Sequence, residues 1–399
     1  MALQNTRQLY GGVTKTFHWL TALLIVTLIP LGIYANGLPF DTSEQLTQKA
    51  WAFSLHKTLG VTVFFVALAR ILWAICQPKP GLLHPDRKLE SLAAETVHWL
   101  LYGSLLVVPL SGWVHHAATS GFAPIWWPFG QSLPFVPKDE ALAEVSAGMH
   151  IVFERVLAAS ILLHIAGALK HHFLDRDVTL RRMLPGTPVV PDIASKHRVI
   201  LPLACAIFVW AGAISIGSML GIYHDPDIRP EAVALQQVQS DWQVQEGQIE
   251  IAVRQLGSEV TGQFADWTAA ITFDDTVDIG KAGHVEVTIA IGSLTLGSVT
   301  TQAMTPDFFD ADAFPTAQFS GDIMHAADGF AAVGTLTLKG RTVPLTLPFA
   351  LTLKDRTAQM LGRLTLDRRD FGIAGSMTDE ASLGFAVDVK VNLAATRSK

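Results

Sequence analysis

Two patterns of hydrophobic and polar positions divide the chain. The first half runs in long apolar blocks at about 16–36, 50–76, 96–118, 145–170 and 199–222. Each is near the length of about 20 residues that the hydrocarbon core of a bilayer demands, so five transmembrane helices are expected. Beyond a Pro- and Gln-bearing connection at 224–240 the period drops to two. HVEVTIAI places Val285, Val287, Ile289 and Ile291 on one face, and TVPLTLPFALTLK does the same from Val343 to Leu353. Many short alternating runs broken by Gly, Asp and Asn predict an all-β antiparallel sandwich or barrel. MTPDFFDADAF, about 304–314, reads as its one helical interruption.

Composition supports a membrane part joined to a polar part. Of 399 residues 50% are hydrophobic and only 16% charged. The net charge of −6 leaves no basic footprint, which argues against a nucleic-acid partner. The two cysteines, Cys76 and Cys205, sit in apolar runs and form no C-x-x-C, which excludes a Cys-rich iron–sulfur site and a covalent haem attachment. Basic residues gather before the first block (Arg7, Lys15), after the second (Lys79, Arg87, Lys88) and after the fourth (Arg176, Arg181, Arg182, Lys196, Arg198). The other two connections hold Lys49 and Lys138. The excess places the N-terminus in the cytoplasm and everything after the fifth block outside, in the periplasm of a bacterial inner membrane. The first block is long for a cleaved signal and lacks a good cleavage pattern, so it is read as a span.

Histidine is the unusual residue, with 14 copies crowded toward the first half. Given the orientation, His18 and His164 lie near the cytoplasmic side, and His56 and His150 near the outer side. His150 and His164 are fourteen residues apart, roughly 21 Å along a helix and within about 40° of the same face. Imidazole at membrane depth is costly and points to function. Two histidine pairs at two depths on three helices make a layout for two bis-histidine haems, which shuttle single electrons rather than bind a substrate at iron.

The first half resembles the bacterial diheme cytochrome b561 family over about 8–186. The resemblance rests on FHWLTALLI, LHKTLGVTVFFVALARILW, HWLLYGSLLVVPLSGW, HIAGALKHHFLDRD and LRRMLPG. It implies two non-covalent b-type haems, one ligated by His18 and His164 on the cytoplasmic side, the other by His56 and His150 on the periplasmic side. It also implies electron exchange with a membrane quinone such as ubiquinone; some relatives are superoxide oxidases. The second half resembles the YceI-like family over about 238–395, through GSEVTGQFADWTAAITFD, TPDFFDADAFPTAQFSG, GTLTLKGRTVPLTLPF and LDRRDFGI. That family implies a lipocalin-like barrel holding an isoprenoid lipid.

The expected architecture is a multidomain membrane protein. Residues 1–190 form an all-α four-helix transmembrane haem bundle, 191–223 a fifth transmembrane helix, 224–240 a linker and 241–399 the barrel. The expected function is electron transfer between the quinone pool and a periplasmic redox partner. The alternative is an isoprenoid carrier with a redox-sensing cytochrome anchor; a subunit for a dehydrogenase or hydrogenase fits less well, since the barrel occupies the docking side. His98 reads as a packing or propionate-contact residue, and His115 and His116 as interfacial. His171 and His172 divide between interfacial polarity and a role beside quinone or propionate. Glu154 and Arg155 could pair. Phe264, Trp267, Phe308, Phe309, Phe314, Phe319 and Phe371 are candidate pocket or core aromatics of the barrel.

Overall fold

A computed structural model describes residues 2–119, 121, 123–190, 197, 199–223, 232–297, 299–327 and 329–398. Lys196, Arg198 and positions 224–231 of the expected linker lie outside the described residues. The chain divides into two compact units. The first is Met1–Gly37, Trp51–Ala118 and Ile125–Pro226; the second is Leu38–Ala50, Thr119–Pro124 and Asp227–Lys399.

Among the described residues, five helices are long and apolar enough to cross a membrane. They are α1 (Gly12–Gly37), α2 (Ser43–Ile75), α3 (Lys88–Ala118), α4 (Glu140–Lys170) and α5 (Ile200–Met219). Asp139 caps α4 by accepting the Leu142 N–H at 2.7 Å, and a π-helical turn, His171–Asp175, carries α4 on. Leu23, Ile33, Leu162 and Phe208 are exposed large apolar side chains. On a water-facing helix they would be a liability; against lipid they are the expected outer surface. Inside, Ile25 and Leu28 of α1, Val63 and Ala67 of α2, Leu105 of α3 and Leu157 of α4 make one apolar cluster. The fifth helix packs on α3 and α4. Trp210 stacks on Phe153 at 6.3 Å and fills the space that Gly103 leaves, and Val152 does the same at Gly217.

The second unit is a ten-stranded antiparallel sheet among the described residues, ordered β3-β4-β6-β7-β8-β9-β10-β1-β2-β5. Its strands are β1 (Trp242–Gln255), β2 (Ser258–Phe264), β3 (Trp267–Phe273), β4 (Gly280–Ala290), β5 (Leu294–Thr295), β6 (Thr316–Ala326), β7 (Gly329–Leu338), β8 (Arg341–Lys354), β9 (Thr357–Asp367) and β10 (Leu383–Arg397). The two-residue turn Leu256–Gly257 and the turn Lys339–Gly340 both have positive φ, the twist that tight hairpins require. The sheet curls so that the Trp267 ring of β3 lies over Gly247 in β1, where a Cβ would come within 2.5 Å of it. No ladder joins β3 to β5, so the barrel is a curled sheet with two free ends rather than a closed cylinder. The helical interruption also differs from expectation. The helical turn is α6, Thr300–Ala303, while 304–314 is turns in which Asp310 takes a left-handed φ of 52°.

One buried cation organises an end of the barrel. Arg368 is 3% exposed, and its guanidinium donates to the carbonyls of Gly384, Ile373, Ala374, Met377 and Leu383. It thereby satisfies the carbonyls of Ile373, Ala374 and Met377 in the irregular segment after β9 and ties that segment to the start of β10. Only a planar five-donor group can do this. Arg368→Met should destabilise the barrel by about 3–5 kcal/mol, and Arg368→Lys should recover only part of that, because an ammonium has three donors. Urea unfolding of the full chain followed by tryptophan fluorescence checks both; equal midpoints for wild type and Arg368→Met would refute the assignment.

Candidate functional site

The four helices α1 to α4 repeat one spacing. His18 and Gly32, His56 and Arg70, His98 and Gly112, and His150 and His164 are each fourteen residues apart. Fourteen residues fall about 40° short of four full turns, so each pair lies near one face of its helix, and a left-handed bundle takes up the remainder. The helices therefore supply two tiers. One holds His56 and His150 with Gly32 and Gly112; the other holds His18 and His164 with Arg70 and His98.

In the first tier the rings of His56 and His150 stand 6.4 Å apart, centroid to centroid. Each ring is fixed by a carbonyl and a glycine. His56 Nδ1 is 3.1 Å from the Leu28 carbonyl, and a Cβ on Gly32 would come within 2.8 Å of its ring. His150 Nδ1 is 2.8 Å from the Val108 carbonyl, and a Cβ on Gly112 would lie 2.9 Å from that nitrogen. Donation from Nδ1–H sets the tautomer and leaves Nε2 as a lone-pair donor on both rings. In the second tier His18 and His164 stand 6.0 Å apart. Here the neighbours are polar. Arg70 Nη2 is 3.4 Å from His18 Nδ1, its guanidinium lies over Tyr102, and His98 meets His164 edge-on at 5.2 Å.

These separations suit a shared metal. Two imidazoles bound to one ion at about 2 Å per bond, with ring centres about 1 Å behind each nitrogen, stand about 6 Å apart. The donor set, neutral imidazole against imidazole, suits haem iron. The apolar cluster containing Leu157 lies between the tiers in sequence on all four helices.

A second cluster gathers where α4 ends. His84 Nε2 and His171 Nδ1 lie 3.0 and 2.7 Å from the same Asp177 oxygen, and the two rings stack at 6.1 Å. Glu90 and Asp175 pair with Lys170, and Arg87 joins Asp175 at 3.0 Å. Nearby, Lys15 Nζ donates to the carbonyls of Leu184 and Gly186, and Trp19 Nε1 to Met183, which ties the LRRMLPG segment to α1. Lys15 and Trp19 thus anchor this rim. Elsewhere, His115 bonds the Ala143 carbonyl, His116 faces Lys57, Glu154 pairs with Arg155 at 3.2 Å, and both cysteines are free. His172 packs edge-on against Phe173 at 4.8 Å.

In the barrel an apolar cavity of about 150 Å³ is lined by, among others, Ile249, Val260, Phe264, Phe308, Phe309 and Phe371. Trp267, Phe314 and Phe319 are not among its lining residues. Sequence reading missed Gly32, Gly112 and the carbonyls of Leu28 and Val108. Their signal is the proline shortly before each glycine, LIPLG and VVPLSG.

Burial alone would raise the Asp177 carboxyl, but bonds from Thr179 and His171 outweigh it and hold it down at about 2. A depressed folded pKa contributes stability above the unfolded value near 4, and that contribution is lost as pH falls toward 2. Amide-exchange protection across 171–183 should therefore be flat from pH 7 to 5 and fall below about 4. In Asp177→Asn it should already be low at neutral pH, with no further step.

Comparison with known proteins places each half of the chain. Prokaryotic cytochrome b561 matches residues 9–186, and the YceI-like domain matches 242–395. Cytochrome b561 homolog 2 of Escherichia coli (strain K12) is 30% identical over 188 residues, 46% of this chain and 95% of that protein. The Yersinia pestis protein named "Probable superoxide oxidase CybB" is 24% identical over 177 residues, 44% of this chain and 96% of that one. Among solved structures, Burkholderia cenocepacia BcnA is 28% identical, covering 38% of this chain and 96% of its own, with a TM-score of 0.35. Family membership brings b-type haem and electron transport with it. The chain belongs to the prokaryotic cytochrome b561 family, with a YceI-like domain fused behind its membrane-spanning helices.

Proposed function

We propose that the bundle holds two b haems, one between His18 and His164 and one between His56 and His150, and moves electrons between the membrane quinone pool and a periplasmic donor or acceptor. The observation that carries this reading is the pairing of four imidazoles, two by two, at 6.0 and 6.4 Å. Haem, when bound, supplies one-electron chemistry, and two histidines per iron leave no position open for oxygen. The protein's own residues do the rest. The Leu28 and Val108 carbonyls hold the ring protons of His56 and His150 at Nδ1. Arg70 offers a cation for an acidic group of the cofactor in the other tier. The distribution of Lys and Arg supports a cytoplasmic N-terminus and a periplasmic barrel in a bacterial inner membrane. Superoxide oxidation coupled to ubiquinone reduction is one version, supported by the name of the Yersinia pestis relative; quinol oxidation is the other.

The barrel cavity supports binding of an isoprenoid lipid, the quinone itself included. Its volume of about 150 Å³ holds one small ring or a prenyl unit or two, and the cavity is partly open, so a longer tail extends beyond it. The same cavity supports a second reading, in which the barrel carries lipid and the cytochrome serves as a redox-sensing anchor.

Purified protein should give two b haems per chain by pyridine haemochrome. Colourless protein from haem-replete cells would end the reading. His164→Ala should remove about half the haem and leave the spectrum of the other half. Gly112→Val should displace His150 and cost the other half, whereas Gly212→Ala on α5, with open space at its Cβ and no part in either tier, should keep both. Retention of both haems in Gly112→Val would refute the role of the glycine notch. Stoichiometric quinol or superoxide, followed by the reduced-haem absorption band, identifies the physiological reductant.

A further inference from the structure

We infer that the barrel cavity selects a guest with an uncharged, hydrogen-bonding head group, a hydroxyl or a carbonyl on an apolar chain, and that Gln255 and Gln302 recognise that head. The inference rests on the lipid-binding reading of the barrel and narrows the class of lipid.

The cavity wall is almost wholly aliphatic and aromatic. Three polar side chains interrupt it: Gln255, Gln302 and Arg368. Gln255 is the last residue of β1, pairs with Leu383 and is 3% exposed. Its Oε1 is buried and has no hydrogen-bond partner. Gln302, on the helical turn α6, likewise has a buried Nε2 without a partner. Buried amides are normally satisfied, and leaving one unpaired is costly. An aliphatic residue would line a pocket for a plain hydrocarbon better. Two unpaired amides on one apolar cavity therefore mark polar groups kept for a guest. Gln255 Oε1 is an unpaired acceptor and Gln302 Nε2 an unpaired donor, so a hydroxyl can meet either and a carbonyl can meet the second.

Arg368 decides against a phosphate. Among the described residues it is the one cation lining the cavity, and five backbone carbonyls already take its donors. Pairing it with an anion would break bonds that hold the irregular segment in place. An anionic head brought into this wall would be desolvated without a counter-charge, which costs far more than burying a neutral oxygen. A prenyl alcohol or an isoprenoid quinone meets the geometry, and a prenyl phosphate or a bare polyene does not.

The test uses the full-length protein in detergent and a farnesol analogue with a photoreactive diazirine in its tail. Labelling is read by mass spectrometry on peptides from 242–395. Farnesol, farnesyl monophosphate and farnesene, which share one tail, compete at concentrations corrected for partition into micelles. Farnesol should displace the probe at about tenfold lower concentration than either of the others. In Gln255→Leu and in Gln302→Leu that advantage over farnesene should shrink, while farnesene itself competes as before. Thermal melting shows that each variant is folded; if one is not, the other carries the test. Displacement by the monophosphate as effective as by farnesol would overturn the inference, as would an unchanged ranking in both variants. A probe that fails to label the barrel at all would instead sink the lipid-binding reading beneath it.

Discussion

An imidazole inside a bilayer is best held as a metal ligand when its other nitrogen has a fixed acceptor for its proton. The bundle meets this constraint with backbone carbonyls. In α1 and α3 a proline precedes the glycine against which the histidine ring rests, and the carbonyls of Leu28 and Val108 accept from His56 and His150. Each glycine removes the side chain that would otherwise occupy the ring's place. One local device, used twice, positions one tier. It costs the helices little, because neighbouring helices, hydroxyl side chains and local backbone adjustment satisfy again the groups that Pro frees.

The other tier is built differently, and the difference is chemical. Glycines occupy α1 and α3 where the rings of α2 and α4 meet, whereas His98 of α3 and Arg70 of α2 occupy the corresponding places beside His18 and His164. A guanidinium and a third imidazole make that end polar. The fourteen-residue spacing explains how one bundle presents two unlike environments along the same faces. Every helix contributes one residue to each tier, and the identity of that residue, small or cationic, sets what surrounds the pair.

Much of this was legible in the chain. Hydropathy marks the five spans, because a bilayer imposes length and apolarity directly on sequence. Depth and face, counted along helices, bring His18 near His164 and His56 near His150. Gly32 and Gly112 escape such counting, since a glycine announces absence rather than chemistry; only the ring pressed against it shows why no Cβ is tolerated. In the barrel, alternation at 285–291 and 343–353 marks strands, but sheet closure depends on long-range curl. The helical turn falls at Thr300–Ala303 rather than 304–314 because Asp310 turns left-handed and breaks the run.

The two halves also treat buried polarity in opposite ways. In the bundle, imidazoles are expensive groups, and the proposed haems would account for them. In the barrel, Arg368 is buried yet fully engaged with its own backbone, so its charge serves the fold and leaves nothing for a ligand. Gln255 and Gln302 reverse that logic: neutral, cheaper to bury, and unpaired. A protein that must release its guest gains from this arrangement. A neutral amide gives up a hydroxyl or carbonyl at modest cost, whereas a buried ion pair would hold an anionic lipid too firmly to exchange with the membrane.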